Sequence, residues 1–440
     1  MNGMSMVEPF GRILRLQDQG SAAGICSVCS ANPEVVTAAL EHARAHHTYA
    51  LIEATANQVN QYGGYTGLDP EGFARLVSTC NEAVGLNPSR IVLGGDHLGP
   101  LVWSSEPAED AMRKAVELVR LYVRAGFGKI HLDVSMPLGD EGVSGPPALE
   151  LIASRTARLC AEAEREALDP RKAGNHGGPV YVIGSEVPPP GGARGGEEHT
   201  IVTDARDCEQ MIDAMERAFS AAGLHAAWER VCAVVVQPGV EFGESSVHEY
   251  RREAAGELRE LIRRYPNLVY EGHSTDYQRP VHLRQLAEDG IAILKVGPAL
   301  TFALREALFA LTQMEAELDQ IRPFDRRSRF DEVLDYAMVA NPVHWRTHYT
   351  GDAATLRFLR RYSLSDRCRY YLADPAVKEA AGLLCSNLRE RGIPHALLSQ
   401  FMPEQYRRVR ESLVSPEPQA LIRDRIRGVL GDYQAAFEGA

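Results

Sequence analysis

A chain of 440 residues exceeds what one ordinary core requires, so one barrel with a large appendage or two domains is expected. Hydrophobic residues at 45% and charged residues at 24% fit a soluble globular protein, and no apolar run approaches bilayer length; a membrane role is excluded and the cytoplasm is expected. The formal charge of -12, from 47 basic and 59 acidic residues, argues against nucleic acid while leaving room for a small phosphorylated ligand held locally.

The first twenty residues contain Glu8, Arg12, Arg15 and Asp18 and no uninterrupted apolar core, so they do not read as a secretory signal. Eight scattered cysteines suit a reducing compartment. Only Cys26 and Cys29 form a CxxC, and on a strand they point to opposite faces, so they read as small core thiols.

Short β-branched runs alternate with helical patterns from about residue 25 to residue 311. The predicted strands are Ile25 to Ser30, Tyr49 to Thr55, Ile91 to His97, Lys129 to Ser135, Val180 to Glu186, Val231 to Gln237, Leu268 to Ser274 and Ala292 to Gly297. Eight strand-helix units predict a (β/α)8 TIM barrel over residues 1–311, with an open doubly wound sheet as the alternative. After the third strand, Pro107, Glu109 and Asp110 open a helix whose apolar stripe is Ala111, Ala115, Leu118, Val119 and Tyr122, and Gly126 stops it. After the seventh, Val281, Leu283, Leu286 and Ala287 predict a shorter apolar face ending at Gly290.

Residues 312–440 read as helices without strands, a helical C-terminal extension packed on or beside the barrel. Ten arginines between Arg322 and Arg369 alternate with aromatic residues. They predict a solvated or subunit-contacting face, with a role at the barrel mouth as the alternative.

Polar or reactive residues stand at the C-terminal end of every run: Cys29 with Ser30, Glu53, Asp96 with His97, Asp133, Glu186, Gln237, His273 and Lys295. In a β/α barrel these positions share one mouth, where catalytic groups sit. Asp96 beside His97 offers a base next to a metal-ligating imidazole, and His273 occupies the equivalent place four strands later. Gln237 or Glu241 would complete a mixed nitrogen and oxygen set for Zn, Mn or Mg. Glu186, just before a long Pro/Gly loop, would ligate or carry a proton. Ser274, Thr275, Lys295 and Gly297 meet where barrels often seat a phosphate. No G-x-x-x-x-G-K-[ST] occurs, so ATP-dependent phosphoryl transfer lacks local support.

The segments Ile52 to Gly64, Gly94 to Pro100, Gly184 to Pro188, Val236 to Phe242, Gly272 to Tyr277 and Leu294 to Phe302 resemble the GatZ/KbaZ-like family. The likeness continues at Ser363 to Tyr371 and Leu397 to Pro403. That family is known as the non-catalytic subunit of class II D-tagatose-1,6-bisphosphate aldolase, and it has relatives that epimerise ketohexoses or their 6-phosphates at C4. More remotely, the strand ends resemble class II fructose-bisphosphate aldolases. By that resemblance Asp96 is the base, His97 and His273 are metal ligands, and Glu186 is the fifth-strand glutamate. Gln237 stands where those aldolases have a third histidine. Asp133 joins the catalytic set, and Glu53 and Asn57 are expected to bind substrate.

The expected chemistry is retro-aldol. A metal at the C2 carbonyl and C3 hydroxyl stabilises an enediolate while a base removes the C4 hydroxyl proton. Rotation and recapture of the released aldehyde gives a C4 epimerase, the function expected here; the alternative is a supporting subunit of a separate class II aldolase. Expected partners are a sugar or sugar phosphate, such an aldolase, and a second copy of this chain.

Overall fold

Parallel strands packed on both faces need unbroken apolar runs, and Val231-Cys-Ala-Val-Val-Val236 is buried at every position. The computed structural model describes residues 8–142, 146–168, 178–184 and 201–437. In it the strands are β1 (Ile25–Cys29), β2 (Ala50–Thr55), β3 (Ile91–Leu98), β4 (Lys129–Leu132), β5 (Val180–Ile183) and β6 (Val231–Val236). A two-stranded antiparallel ribbon, β7 (Glu241–Phe242) and β8 (Val247–His248), precedes β9 (Val269–Gly272) and β10 (Ile291–Val296). The eight staves other than the ribbon pair in parallel and in chain order, and β10 returns to β1 to close the barrel, as the alternation predicts.

Three staves, β4, β6 and β9, stop before the polar residues predicted to end them. Asp133, Gln237 and His273 lie just past the ladder, where the chain is released from sheet geometry and can turn side chains into the mouth. The opposite end is sealed by the helix Phe10–Asp18. Its Phe10, Ile13 and Leu14 pack on Leu51, Val180 and Val235 in a core separate from the helix-strand layer.

The helix Ala108–Arg124 buries all five predicted stripe residues, and Gly126, at φ +90°, allows the chain to leave it. The helix Pro280–Glu288 differs from its prediction. Leu283, Leu286 and Ala287 face the core, but Val281 is 51% exposed and His282 is buried instead, because a 3.6-residue period places 282, 283 and 286 on one side.

The helix Pro298–Ile321 follows β10, and beyond it five further helices lead to a last one, Pro418–Phe437. This last helix packs against Pro33–Ala45, Pro280–Glu288, Pro298–Ile321 and β1, so it closes the outer ring where the end of the barrel meets its beginning. Tyr433 fixes it: its hydroxyl donates to the Thr275 carbonyl at 2.9 Å and lies 3.1 Å from Thr275 Oγ1.

Several arginines of the appendage pair within it. Arg360 chelates Asp335 and Arg361 meets Asp331 at 2.6 Å, both partly buried. The segment around Leu364 also reaches the mouth: Leu364 N–H donates to the Glu244 carbonyl, Tyr277 donates to the Leu364 carbonyl, and Thr301 donates to Asp366. No described helix is long and apolar enough to cross a membrane.

Candidate metal centre

β3 delivers Asp96 and His97 through a glycine pair. A Cβ on Gly94 would lie 2.5 Å from Cγ of Glu53, so glycine there makes room for a carboxylate inside the barrel. His97 and Ser274 adopt φ of +47° and +51°, conformations that non-glycine residues keep only where surroundings impose them.

Three imidazoles and one carboxylate converge. One ligand atom from each of Asp96, His97, His131 and His273 lies within 4.8 Å of every other, and all four residues are buried. Each imidazole has one nitrogen held by an acceptor outside the group. His97 Nδ1 meets Asp133 at 2.9 Å, His131 Nε2 meets the Gly184 carbonyl at 2.8 Å, and His273 Nε2 meets Glu271 at 3.0 Å. Such outer contacts fix the tautomer and aim the second nitrogen, the usual support for metal-binding histidines.

Below this layer lies a buried charge cluster. Lys129 bridges Glu53 at 2.7 Å and Glu271 at 2.6 Å, and Lys295 contacts Glu53 at 2.5 Å and Asp96 at 2.7 Å. Burial alone would raise the Asp96 carboxyl, but Lys295, His97 and His131 hold it well below the usual carboxylate range. Burial likewise opposes the charges of Asp133 and His97. Their mutual contact brings Asp133 down to about 2, and Asp96 together with Asp133 brings His97 up to about 9. Burial takes His273 down to about 3, only partly countered by Glu271, so this imidazole is neutral and keeps a lone pair to donate.

These residues fit a divalent cation. With Nε2–H of His131 donating to Gly184, its Nδ1 accepts the His97 N–H at 3.2 Å and also lies 3.0 Å from Oδ1 of the ionised Asp96. Two acceptors this close repel each other, and a cation beside them would relieve that repulsion. A proton on His97 stands in a similar place, beside Asp96 at 3.9 Å. The donor set of nitrogen and carboxylate oxygen suits Zn or Mn.

Of the residues expected from sequence, Asp96, His97 and His273 are brought together, and Asp133 supports His97 from behind. Glu186 lies outside the described residues. Gln237 is engaged elsewhere: its amide oxygen accepts Gly239 N–H at 2.8 Å and Val240 N–H at 3.0 Å, shaping its own loop. Glu241, on β7, accepts Phe242 N–H and the Ser274 hydroxyl, and burial brings its carboxyl up to about 7. Glu53 and Lys295 belong to the buried charge cluster, and Thr275 anchors Tyr433 and donates to the Lys295 carbonyl. Asn57 is exposed in the loop after β2. The Gly297 amide donates to Asp276 at 3.0 Å.

His131, Lys129 and Glu271 escape a reading confined to strand ends. Their signal is the period of two: His131 and Lys129 share a face with Asp133, and Glu271 shares one with His273.

The family model for D-tagatose-1,6-bisphosphate aldolase subunit GatZ/KbaZ-like proteins matches residues 10–438. A Klebsiella pneumoniae protein described as D-tagatose-1,6-bisphosphate aldolase subunit GatZ is 46% identical over 422 residues, covering 96% of this chain and 97% of that one. A solved structure from Sinorhizobium meliloti 1021, described as a probable tagatose 6 phosphate kinase, matches with a TM-score of 0.85 at 42% identity. It covers 94% of this chain and 100% of that one. The chain belongs to the GatZ/KbaZ-like family of D-tagatose-1,6-bisphosphate aldolase subunits.

Proposed function

We propose that this chain acts in ketohexose metabolism as the partner subunit of a class II D-tagatose-1,6-bisphosphate aldolase. The near full-length likeness to a protein described as such a subunit carries the reading. Co-expression with a class II aldolase from the same genome tests it. The aldolase is expected to co-purify with this chain and to gain thermal stability from it; an aldolase that does neither refutes the reading.

A second reading is favoured by one observation, the buried group of three imidazoles with an ionised aspartate. We infer that the chain also interconverts ketohexoses or their 6-phosphates at C4. A divalent cation held by His97, His131 and His273 would supply Lewis-acid polarisation of the C2 carbonyl and C3 hydroxyl. Asp96 takes the proton of the C4 hydroxyl as the C3–C4 bond breaks, and returns it when the rotated aldehyde is recaptured. Lys295, 2.7 Å from Asp96, keeps that carboxylate charged between turnovers. Buried walls exclude water that would protonate the carbanion. Elemental analysis of protein purified without chelator, with carbon NMR on fructose 6-phosphate and tagatose 6-phosphate, tests this. Absence of both metal and turnover after addition of Zn, Mn or Mg refutes it.

A further inference from the structure

The corner between β9 and β10 offers several groups suited to a phosphate, and the structure engages each of them internally. The amides of Gly297 and Ala299 open the 24-residue helix Pro298–Ile321, where the helix dipole favours an anion. Both donate to one oxygen of Asp276, at 3.0 and 2.7 Å. Asp276 is 2% exposed, so its carboxylate is a fixed part of the corner. Ser274 donates to Glu241, Thr275 donates to the Lys295 carbonyl, and the Lys295 ammonium lies between Glu53 and Asp96. Arg369, whose charge reaches Asp276, directs its guanidinium to the carbonyls of Ser365 and Asp366 and to the Tyr370 hydroxyl.

We propose that Asp276 is a built-in occupant of the anion position and a specificity-determining residue that makes the mouth refuse a phosphate at its β9–β10 end. An incoming phosphate would have to displace the Asp276 carboxylate from the Gly297 and Ala299 amides and would meet its charge. A ketose lying across the mouth brings one of its two ends to this corner. The ligand accepted is therefore a free ketose, or one phosphorylated only at the far end. A ketose bisphosphate is refused in either direction. This substrate class rests on the reading that the mouth takes a ketose; the exclusion of phosphate does not.

The test uses the full chain and inorganic phosphate as probe, followed by calorimetry and thermal shift. Wild type should give no response at millimolar phosphate. Asp276→Ala, which releases both amides, should bind phosphate at least ~10-fold more tightly and gain melting temperature on its addition. Asp276→Asn keeps an oxygen acceptor for the two amides without the charge, so it guards against a folding failure of the alanine variant and should show a smaller gain in the same direction. With metal-loaded wild type, fructose 1,6-bisphosphate should bind at least ~10-fold more weakly than fructose 6-phosphate. Phosphate binding to wild type equal to that of the variants, no gain in either variant, or equal affinity for the two sugar phosphates overturns the proposal. Loss of all sugar binding with the phosphate pattern intact instead refutes the ketose reading and leaves the role of Asp276 standing.

Discussion

Asp133 Oδ2 lies 2.9 Å from Nδ1 of His97, and it reaches that nitrogen from just past β4 while His97 hangs from β3. The same carboxylate accepts Ser135 N–H and its hydroxyl, so the acceptor is itself fixed. Asp133 therefore acts through His97 by aiming Nε2 at the centre. Removing such an outer partner typically lowers metal affinity 10- to 100-fold. Asp133→Ala should lose about that much zinc affinity, read by competition with a chelating indicator, while circular dichroism stays unchanged. Undiminished affinity would show that His97 is aimed by something else.

Adjacent residues at the end of β3 should fail differently. Asp96→Asn keeps size and most hydrogen bonding but removes the base, so metal content should persist while kcat falls by about 10²- to 10⁴-fold with little change in KM. His97→Ala should lose metal and activity together, and excess metal should restore part of both. If both variants keep metal and full turnover, the chemistry lies elsewhere.

Gln237 is expected in the ligand set and His131 is not, yet it is His131 that stands in the cluster. His131→Ala should lower bound metal measured by elemental analysis. Gln237→Ala should leave metal unchanged and, by orphaning the Gly239 and Val240 amides, cost on the order of 2 kcal/mol in urea unfolding. The reverse pattern would restore Gln237 as the ligand.

Glu241 gives a pH signature. Its carboxyl is brought by burial from 4.5 up to about 7, so between those values the folded chain holds a proton that the unfolded chain releases. Its stabilising contribution is complete below pH 4.5 and is lost as pH rises through about 7. Glu241→Gln mimics the protonated form. It should be more stable than wild type at pH 8, by on the order of 1 to 3 kcal/mol, and equal to it near pH 4.5. A difference that does not vary with pH refutes this assignment.

Lys129 is fully buried between Glu53 and Glu271. Lys129→Met leaves two carboxylates with one fewer cation and should destabilise the fold by about 3 to 5 kcal/mol. Lys129→Arg, longer and planar, should not rescue it, because the position has no exposed volume. An unchanged urea midpoint in the methionine variant would mean that the carboxylates are neutral in the folded state.

The barrel is legible in the sequence because parallel staves are buried on both faces and leave unbroken apolar runs such as Val231 to Val236. Asp96, His97 and His273 are legible because a polar residue ending such a run needs a reason to be there. Glu271 and Lys129 are harder to find. They sit inside strands, where a charged residue is tolerated only when its partners are present, and those partners come from strands far away in sequence. The occupancy of the β9–β10 corner was hidden for a related reason: Gly297 reads as an anion cradle until Asp276, 21 residues earlier, is seen to fill it. The helix Pro418–Phe437 is legible as a helix, but its closing of the ring has no local signal, since the contact of Tyr433 with Thr275 spans 158 residues.

That closing helix bears on how the protein is made. Strand β1 and the helix Pro33–Ala45 leave the ribosome early, but the element that covers their outer seam is residues 418–437. At synthesis rates of about 5 to 20 residues per second, the seam waits roughly 20 to 80 seconds before its cover exists. Until then the faces of β1 and Pro33–Ala45 that this helix contacts lack their cover. Thr275, which the closing helix grips, is two residues from His273, so the last helix to be made braces the segment that carries one imidazole of the cluster.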